Sequence, residues 1–263
     1  MRGQSLVLTT TDAWTMVFIG QPYVYKIDRV SDACGLLAPL AIQVVEGCAA
    51  WMGQSNFHRF DGGSVRIIPC DVSDYVFNDL NYAQAAKISS GHLSAFGEVW
   101  WFYPSADSLF NNRYVVWNYR ENHWSIGTMA RGCWADAGVF LSPLAVGESG
   151  LIYQHETGYT DDGTAILTDR FATSGPVEFG SGDRIMEALQ LIPDERTSGQ
   201  VQFRFATQFT PEGPVFDHGP YSAAPYTDTR FAGRQVAMKV ESVVDADYRV
   251  GLLRLDAKPG GLR

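Results

Sequence analysis

Three segments of the chain repeat one pattern: a strand, a turn carrying a small residue, and a returning strand. Trp51-Met-Gly-Gln-Ser55 is followed by Phe57-His-Arg-Phe60 and the turn Asp61-Gly62. Trp101-Phe-Tyr-Pro-Ser105 is followed, after an insertion, by Tyr114-Val-Val-Trp117 and Asn118-Tyr119, and Ala145-Val-Gly-Glu-Ser149 by Leu151-Ile-Tyr-Gln154. The serines at 55, 105 and 149 stand about 44 to 50 residues apart, the period of β-propeller blades. One β-meander cannot bury both of its faces, so a repeated meander implies stacked neighbours. The repeat therefore restricts the 263-residue chain to an all-β fold, read as a partial β-propeller of antiparallel meander blades. A β-sandwich, which is also built from evenly spaced short strands, is the alternative.

The fullest unit is 112–127. Alternation puts Tyr114 and Val116 on one face and Val115, Trp117 and Tyr119 on the other, with Arg120–His123 as the turn and Trp124–Thr128 as the return. The same reading gives a hairpin of Ser5–Thr9 and Trp14–Ile19, a short strand Val24–Ile27, and a four-strand meander of Ala41–Val45, Ala49–Met52, Phe57–Phe60 and Val65–Ile68. Between 71 and 87 the period changes. Val72, Tyr75, Val76 and Leu80 fall at helical spacing with Asp71 as N-cap, which predicts one or two short helices. Strands resume at His92–Ala95, Glu98–Tyr103, Arg113–Tyr119 and Trp124–Met129, then Ala137–Leu141, Leu144–Val146 and Leu151–His155.

After Thr157 the strands lengthen. Ile166–Thr173, Arg184–Ile192, Gln200–Thr207, Arg234–Val243 and Tyr248–Asp256 alternate in polarity, and the Pro- and Gly-rich stretch Thr210–Pro225 reads as a loop. Val201, Phe203 and Phe205 against Gln202 and Arg204 describe a sheet with one wet face. The expected organisation is thus blades over residues 1–160, with a helical insertion near 71–87, and an antiparallel β-sandwich over 161–263. The short link Val244-Asp-Ala-Asp247 predicts that Arg234–Val243 and Tyr248–Asp256 form a hairpin.

Chemistry is sparse. The net charge of −9 excludes a generally basic nucleic-acid surface. Cys34, Cys48, Cys70 and Cys133 form no Cys-x-x-Cys and read as buried free thiols, and the five histidines are scattered. No signal peptide is read, and no apolar run is long enough for a membrane-spanning helix, so a soluble chain made in a cytoplasm is expected. Gly147-Glu-Ser-Gly150 lacks the second glycine and the strand-to-helix context of a hydrolase elbow. His155-Glu156 has no second histidine at zincin spacing. Asp161-Asp-Gly163 with Asp169 lacks EF-hand spacing and reads as a turn. Asp245 and Asp247 read as a solvated hairpin tip, and Gly180–Arg184 as a glycine-rich loop before a strand. Trp100–Tyr103 cannot present all four rings to one sugar because alternate residues face opposite sides; packing between blades is expected. No catalytic, cofactor-binding or metal-ligating residue is assigned, no cofactor is expected, and the chain is read as a non-enzyme.

A set of segments in a fixed order resembles one family. Trp14–Tyr23, Trp51-Met-Gly53 with Phe57–Gly62, Asp74–Tyr82, Glu98–Ser105, Arg113–Trp124, Asp183–Met186, Gly233–Ser242 and Arg249–Arg263 are similar to the C-terminal part of head-to-tail packaged-DNA stabilisation proteins, the tail hub or nozzle proteins of short-tailed bacteriophages. The resemblance implies a virion structural protein of the head–tail connector. It would be made in the host cytoplasm, would be compatible with a prophage gene, and would have no catalytic residues. It implies a homo-oligomeric ring as a partner state, contact with neighbouring head–tail and tail proteins, and passage of DNA at ejection without sequence-specific binding. An acidic channel wall would suit that task. The family carries a longer N-terminal part. The three to four units read here lie at or below the small end of the four to eight blades of a closed propeller, so an open edge needing a partner surface is expected. The rival functions are a carbohydrate-binding or adhesive propeller, which needs exposed aromatic rings beside carboxylates, and a propeller glycosidase, which needs two facing carboxylates.

Overall fold

A computed structural model of the chain describes residues 3–167, 170–180, 184–194, 197–224 and 226–262. Two compact units, Met1–Thr157 and Gly158–Arg263, are built almost entirely of antiparallel sheets.

The first unit is a succession of four meanders. Sheet one holds β1 (Gln4–Leu8), β2 (Ala13–Phe18) and β3 (Tyr25–Ser31); sheet two holds β4 (Ile42–Val45), β5 (Cys48–Met52), β6 (Phe57–Phe60) and β7 (Val65–Ile68). Sheet three holds β8 (Ser89–Leu93), β9 (Glu98–Tyr103), β10 (Arg113–Asn118) and β11 (His123–Thr128), and sheet four β12 (Cys133–Ala135), β13 (Leu144–Val146) and β14 (Ile152–Gln154). Each strand pairs with its neighbour in sequence. The β4–β5 turn shows why: Glu46 at φ 44° and Gly47 at φ 86° supply the two left-handed residues that a tight hairpin requires. First strands lie side by side, β4 next to β8 and β8 next to β12, and Leu40 and Ser89 form a parallel bridge. Consecutive first strands in parallel are what blades of a propeller have. Here four sheets form a run, and among the described residues no strand of sheet four pairs with sheet one.

Apolar side chains of one strand face alternate neighbours, and this is what stacks the sheets. Trp51 and Trp101 are both fully buried. Trp51, Phe60 and Ala49 pack with Ala13, Leu6 and Leu8 of sheet one. Trp101, Trp117 and Val115 pack with Ala50, Met52 and Phe57 of sheet two. Phe57 stands 4.9 Å from Trp101 and 4.6 Å from Trp124, ring centre to ring centre. A ring of this size buries about 200 Å², worth roughly 5 kcal/mol of transfer free energy at ~25 cal/mol per Å². The helical insertion covers the same core. Helix α1 (Ser73–Asn78) and a 3₁₀ turn over Tyr82–Lys87 bury Val76 and Ala85 against it. The N-cap of α1 is Val72, without a side-chain hydrogen bond, not Asp71. The side-chain cap occurs on the second turn, where Asn81 accepts from the Ala83 amide at 3.1 Å.

Indole hydrogen bonds add direction to this stacking. Trp51 donates to the Cys34 carbonyl (2.8 Å), Trp101 to the Ala41 carbonyl (3.0 Å) and Trp134 to the His92 carbonyl (2.9 Å). Cys34 lies in the link between sheets one and two, Ala41 just before sheet two, and His92 within sheet three, so each tryptophan reaches backbone that precedes its own sheet. Gly91 makes room for this: a Cβ there would lie 2.4 Å from the Trp134 ring. Between the first strands, the Ser90 hydroxyl donates to the carbonyls of Leu40 (2.6 Å) and Ile42 (3.0 Å).

In the second unit β15 (Thr160–Asp161) and β16 (Thr164–Ala165) form a small hairpin. The remaining strands are β17 (Phe171–Thr173), β18 (Val177–Glu178), β19 (Arg184–Pro193), β20 (Val201–Gln208), β21 (Phe216–Ser222), β22 (Thr227–Gly233), β23 (Gln235–Ser242) and β24 (Leu253–Leu262). One sheet has the order β17-β23-β20-β21 with β18 also on β23, the other β22-β19-β24. Between them lies a core of Leu191, Val201, Phe203, Phe205, Phe231 and Val240. Gln202 and Arg204 take the wet face of β20, as its alternation requires.

Several expectations are corrected. The Arg234–Val243 and Tyr248–Asp256 hairpin does not form: β23 pairs with β17, β18 and β20, whereas β24 pairs with β19 in the other sheet. The connection between them is taken up elsewhere, because Arg249 bridges Ser198 and Arg170 holds Asp245 at 3.5 Å. Ala137–Leu141 is not a strand; β12 precedes it, and Val139 and Leu141 are 99% and 100% exposed. β8 spans Ser89–Leu93 instead of His92–Ala95. Thr210–Pro225 contains β21, an edge strand, where Pro220 removes no needed donor. Ile166–Thr173 is not one strand, since β16 ends at Ala165 and β17 begins at Phe171.

Candidate functional site

The residues weighed for chemistry are scattered. Ser149 is exposed in the β13–β14 turn, where the Gly150 amide donates back to the Gly147 carbonyl at 3.0 Å. A shallow concavity of about 430 Å³ there is lined by Arg131, Glu148, Ser149 and Tyr153, with Ala130 and Gly147. It offers a single carboxylate. Arg131 in it is occupied: its guanidinium lies 4.0 Å from the Tyr153 ring centre, and its Nε donates to His155 Nε2 at 3.0 Å. Glu156 follows, its carboxyl pushed up by burial and by Glu98. Asp162 and Gly163 form the β15–β16 turn at φ 48° and 77°; Asp169 lies outside the described residues, as do the central three residues of Gly180–Arg184. Asp245 pairs with Arg170, and Asp247 accepts from the Tyr159 hydroxyl, so neither belongs to a free hairpin tip. Among the described residues no group of three or more His, Cys, Asp or Glu converges.

The cysteines differ from one another. Cys34 is buried, Cys48 and Cys70 are half-buried, and Cys133 is exposed, which corrects the expectation of four buried thiols. Burial pushes the Cys70 thiol up to about 11. Of the aromatic run, Trp101 and Tyr103 enter the core toward sheet two, whereas Trp100 and Phe102 stack with Trp134 of sheet four at 5.7 and 6.0 Å. Four rings are thereby divided between two sheet interfaces. The first strands β1, β4, β8 and β12 contain no Asp or Glu, so the expected acidic wall is not built by them. Glu46 and Asp136, one residue beyond β4 and β12, are engaged by Arg120 (3.1 Å) and by the Ser94 amide (3.1 Å).

What does converge is apolar surface at the two ends of the run. On sheet one, register places Val7, Trp14, Met16, Phe18, Tyr25 and Ile27 on the face turned away from sheet two. Phe18 is 65% exposed, Tyr25 55% and Ile27 60%, and the two rings meet edge to face at 5.7 Å. On sheet four, Trp134, Ala145 and Tyr153 share one face, and Trp134 stacks on sheet three. The opposite face carries Cys133, Ala135, Leu144, Val146 and Ile152, with Ile152 69% exposed. These faces were foreseen only as open strand edges. Their face-on character follows from the register.

No family model matches the chain, and no curated protein matches it. Among solved structures, the exo-β-1,3-galactanase of Phanerochaete chrysosporium with galactose is similar at 9% identity and a TM-score of 0.29, covering 97% of this chain and 80% of that one. A variant of the same enzyme with β-1,3-galactotriose gives 8% identity and a TM-score of 0.25 over 97% and 80%. Likeness at this level assigns neither a shared fold nor an activity. No helix is long and apolar enough to cross a membrane among the described residues.

Proposed function

We propose that this chain is a structural, non-enzymatic component of the head-to-tail region of a short-tailed bacteriophage, a virion protein that helps retain packaged DNA and conducts it at ejection. The observation that carries the reading is the pair of exposed apolar faces ending a run of stacked sheets. Such faces belong to a protein that works inside an assembly. The ordered resemblance to nozzle proteins supports a head-to-tail assembly as the setting. An uncharged row of first strands offers DNA no basic patch to adhere to, which suits passage without sequence-specific binding. Neighbouring head–tail and tail proteins are the partners this reading requires.

Mass spectrometry of purified particles from the strain that carries the gene tests the proposal. The chain is expected in tail-containing particles at a stoichiometry matching a ring component. Gene deletion is expected to give heads that lose their DNA. Absence from particles, with intact DNA-filled heads after deletion, would overturn the reading.

A further inference from the structure

We infer that the loop joining β12 and β13 is an anchor for a phospholipid surface, with its tip Val139-Phe140-Leu141 entering the interface of a zwitterionic membrane. The inference holds or fails independently of the bacteriophage reading.

Three consecutive apolar side chains form the tip, and the molecule leaves them bare. Val139 is 99% exposed and Leu141 100%, so among the described residues nothing packs on either side chain, and Phe140 is 58% exposed. Single exposed apolar residues are ordinary on a protein surface, but a run of three at one tip is not. The loop from Ala137 to Pro143 contains no charged residue, so no ion has to be stripped of water when the tip leaves solvent.

The loop is braced at its tip and on both stems. The Gly138 amide donates to the Phe140 carbonyl at 2.9 Å, which closes a tight turn. On the first stem Asp136 Oδ1 accepts from the Ala137 amide at 2.8 Å, and Asp136 Oδ2 accepts from the Ser94 amide of the β8–β9 turn at 3.1 Å. On the second stem the His155 amide donates to the Pro143 carbonyl at 2.8 Å. The β8–β9 turn is fastened in its own right. Arg120 donates to the carbonyls of Ser94 (3.1 Å) and Ala95 (3.4 Å), and the Asn118 side-chain amide donates to the Phe96 carbonyl at 3.2 Å. That turn holds Phe96 at 53% exposure. Two turns tied to each other thus carry four apolar side chains on fixed backbone, so little ordering entropy opposes their insertion.

Shape and charge select the occupant. Val139 and Leu141 are open on every side, so a protein partner would need a deep pocket shaped around each. A fluid acyl boundary surrounds such side chains without a shaped pocket, to a depth of about 5–10 Å. The amides of Ala137 and Gly138 already have partners within the chain, which lowers the cost of moving the tip out of water. The neighbouring turns carry Glu46, Glu121 and Asp136 against Arg120. This surplus of negative charge opposes an anionic headgroup layer and selects a zwitterionic one.

Co-sedimentation of the full chain with phosphatidylcholine vesicles tests the inference. The wild type is expected in the vesicle pellet, and replacing half of the lipid by phosphatidylglycerol is expected to weaken its binding. The double variant Val139→Asp, Leu141→Asp alters two fully exposed positions, so folding is retained, as circular dichroism checks, and binding is expected to fall at least about tenfold. Leu141→Ser alone, a milder change, is expected to weaken binding roughly threefold. Phe18→Asp removes an exposed ring far from the loop in sequence and is expected to bind as the wild type does. A wild type that stays in the supernatant overturns the inference, and leaves a pocket on a partner protein as the place for the tip. Undiminished binding by both loop variants overturns it as well, as does an equal loss in Phe18→Asp, which would mean general apolar adsorption. Stronger binding to the anionic vesicles overturns the choice of a zwitterionic surface.

Discussion

Glu241 offers a test of the second unit that the first cannot obscure. It lies on β23 at 2% side-chain exposure, with Lys239 Nζ at 2.6 Å, Arg204 Nε at 2.8 Å and the Gln202 amide donating to it. Burial pushes its carboxyl up, but the hydrogen bonds from Lys239, Arg204 and Gln202 outweigh this and hold it at about 2, against 4.5 ordinarily. The folded group is thus the stronger acid, so its contribution is complete above pH 4.5 and is lost as pH falls toward 2. The difference corresponds to roughly 3 kcal/mol at ~1.36 kcal/mol per pH unit. Arg204 and Lys239 are 46% and 34% exposed, so screening by solvent brings the value to about 2 kcal/mol. Glu241→Gln keeps the shape and removes the charge. All seven tryptophans lie between Trp14 and Trp134, in the first unit. Urea unfolding followed by tryptophan fluorescence therefore reads that unit alone, while far-ultraviolet circular dichroism reads both. The variant should lose about 2 kcal/mol at pH 7 in the transition seen only by circular dichroism, and the deficit should shrink as pH falls from 5 to 2. An unchanged pH dependence in the variant would refute the assignment of that stability to Glu241.

Three further outcomes are expected. Trp101→Phe replaces the buried indole by a smaller ring and removes the bond to the Ala41 carbonyl, which together should cost at least about 1–2 kcal/mol in the fluorescence-detected transition; no change would remove the indole bonds as a stacking device. Gly91→Ala should destabilise the first unit by at least about 1–3 kcal/mol through the clash with Trp134, and a neutral effect would mean sheets three and four pack differently. Under native conditions a thiol reagent should modify Cys133 first, with Cys34 and Cys70 reacting only on unfolding; rapid modification of Cys34 would contradict its burial.

Sheets two and three were legible because their strands are bounded by turns with clear chemistry, such as Glu46-Gly47 and Asp61-Gly62, and because Trp51 and Trp101 recur at one position of the pattern. Legibility failed where composition and exposure part. Val139, Phe140 and Leu141 form an apolar run that reads as a strand, yet lies exposed beyond β12. β21 was hidden by Gly219 and Pro220, which are tolerated because the strand is at an edge. The false hairpin at 244–247 arose because a short polar link looks the same whether strands pair or cross to the opposite sheet. What decides it is Arg170, more than 70 positions away in sequence, which holds the Val244 carbonyl at 2.8 Å. The end faces were half legible. The repeat count implied open ends, but which side chains lie on them depends on the β1–β2–β3 and β12–β13–β14 registers, which the sequence does not state.

Cryo-electron microscopy of tail-containing particles purified from the strain that carries the gene tests most directly the proposed role of this protein as a structural component of the head-to-tail region. The account predicts density there into which the four meander sheets of the first unit fit, with the Phe18, Tyr25 and Ile152 side chains covered by neighbouring protein. A head-to-tail region without density that accommodates these sheets, in particles that retain their DNA, would contradict it.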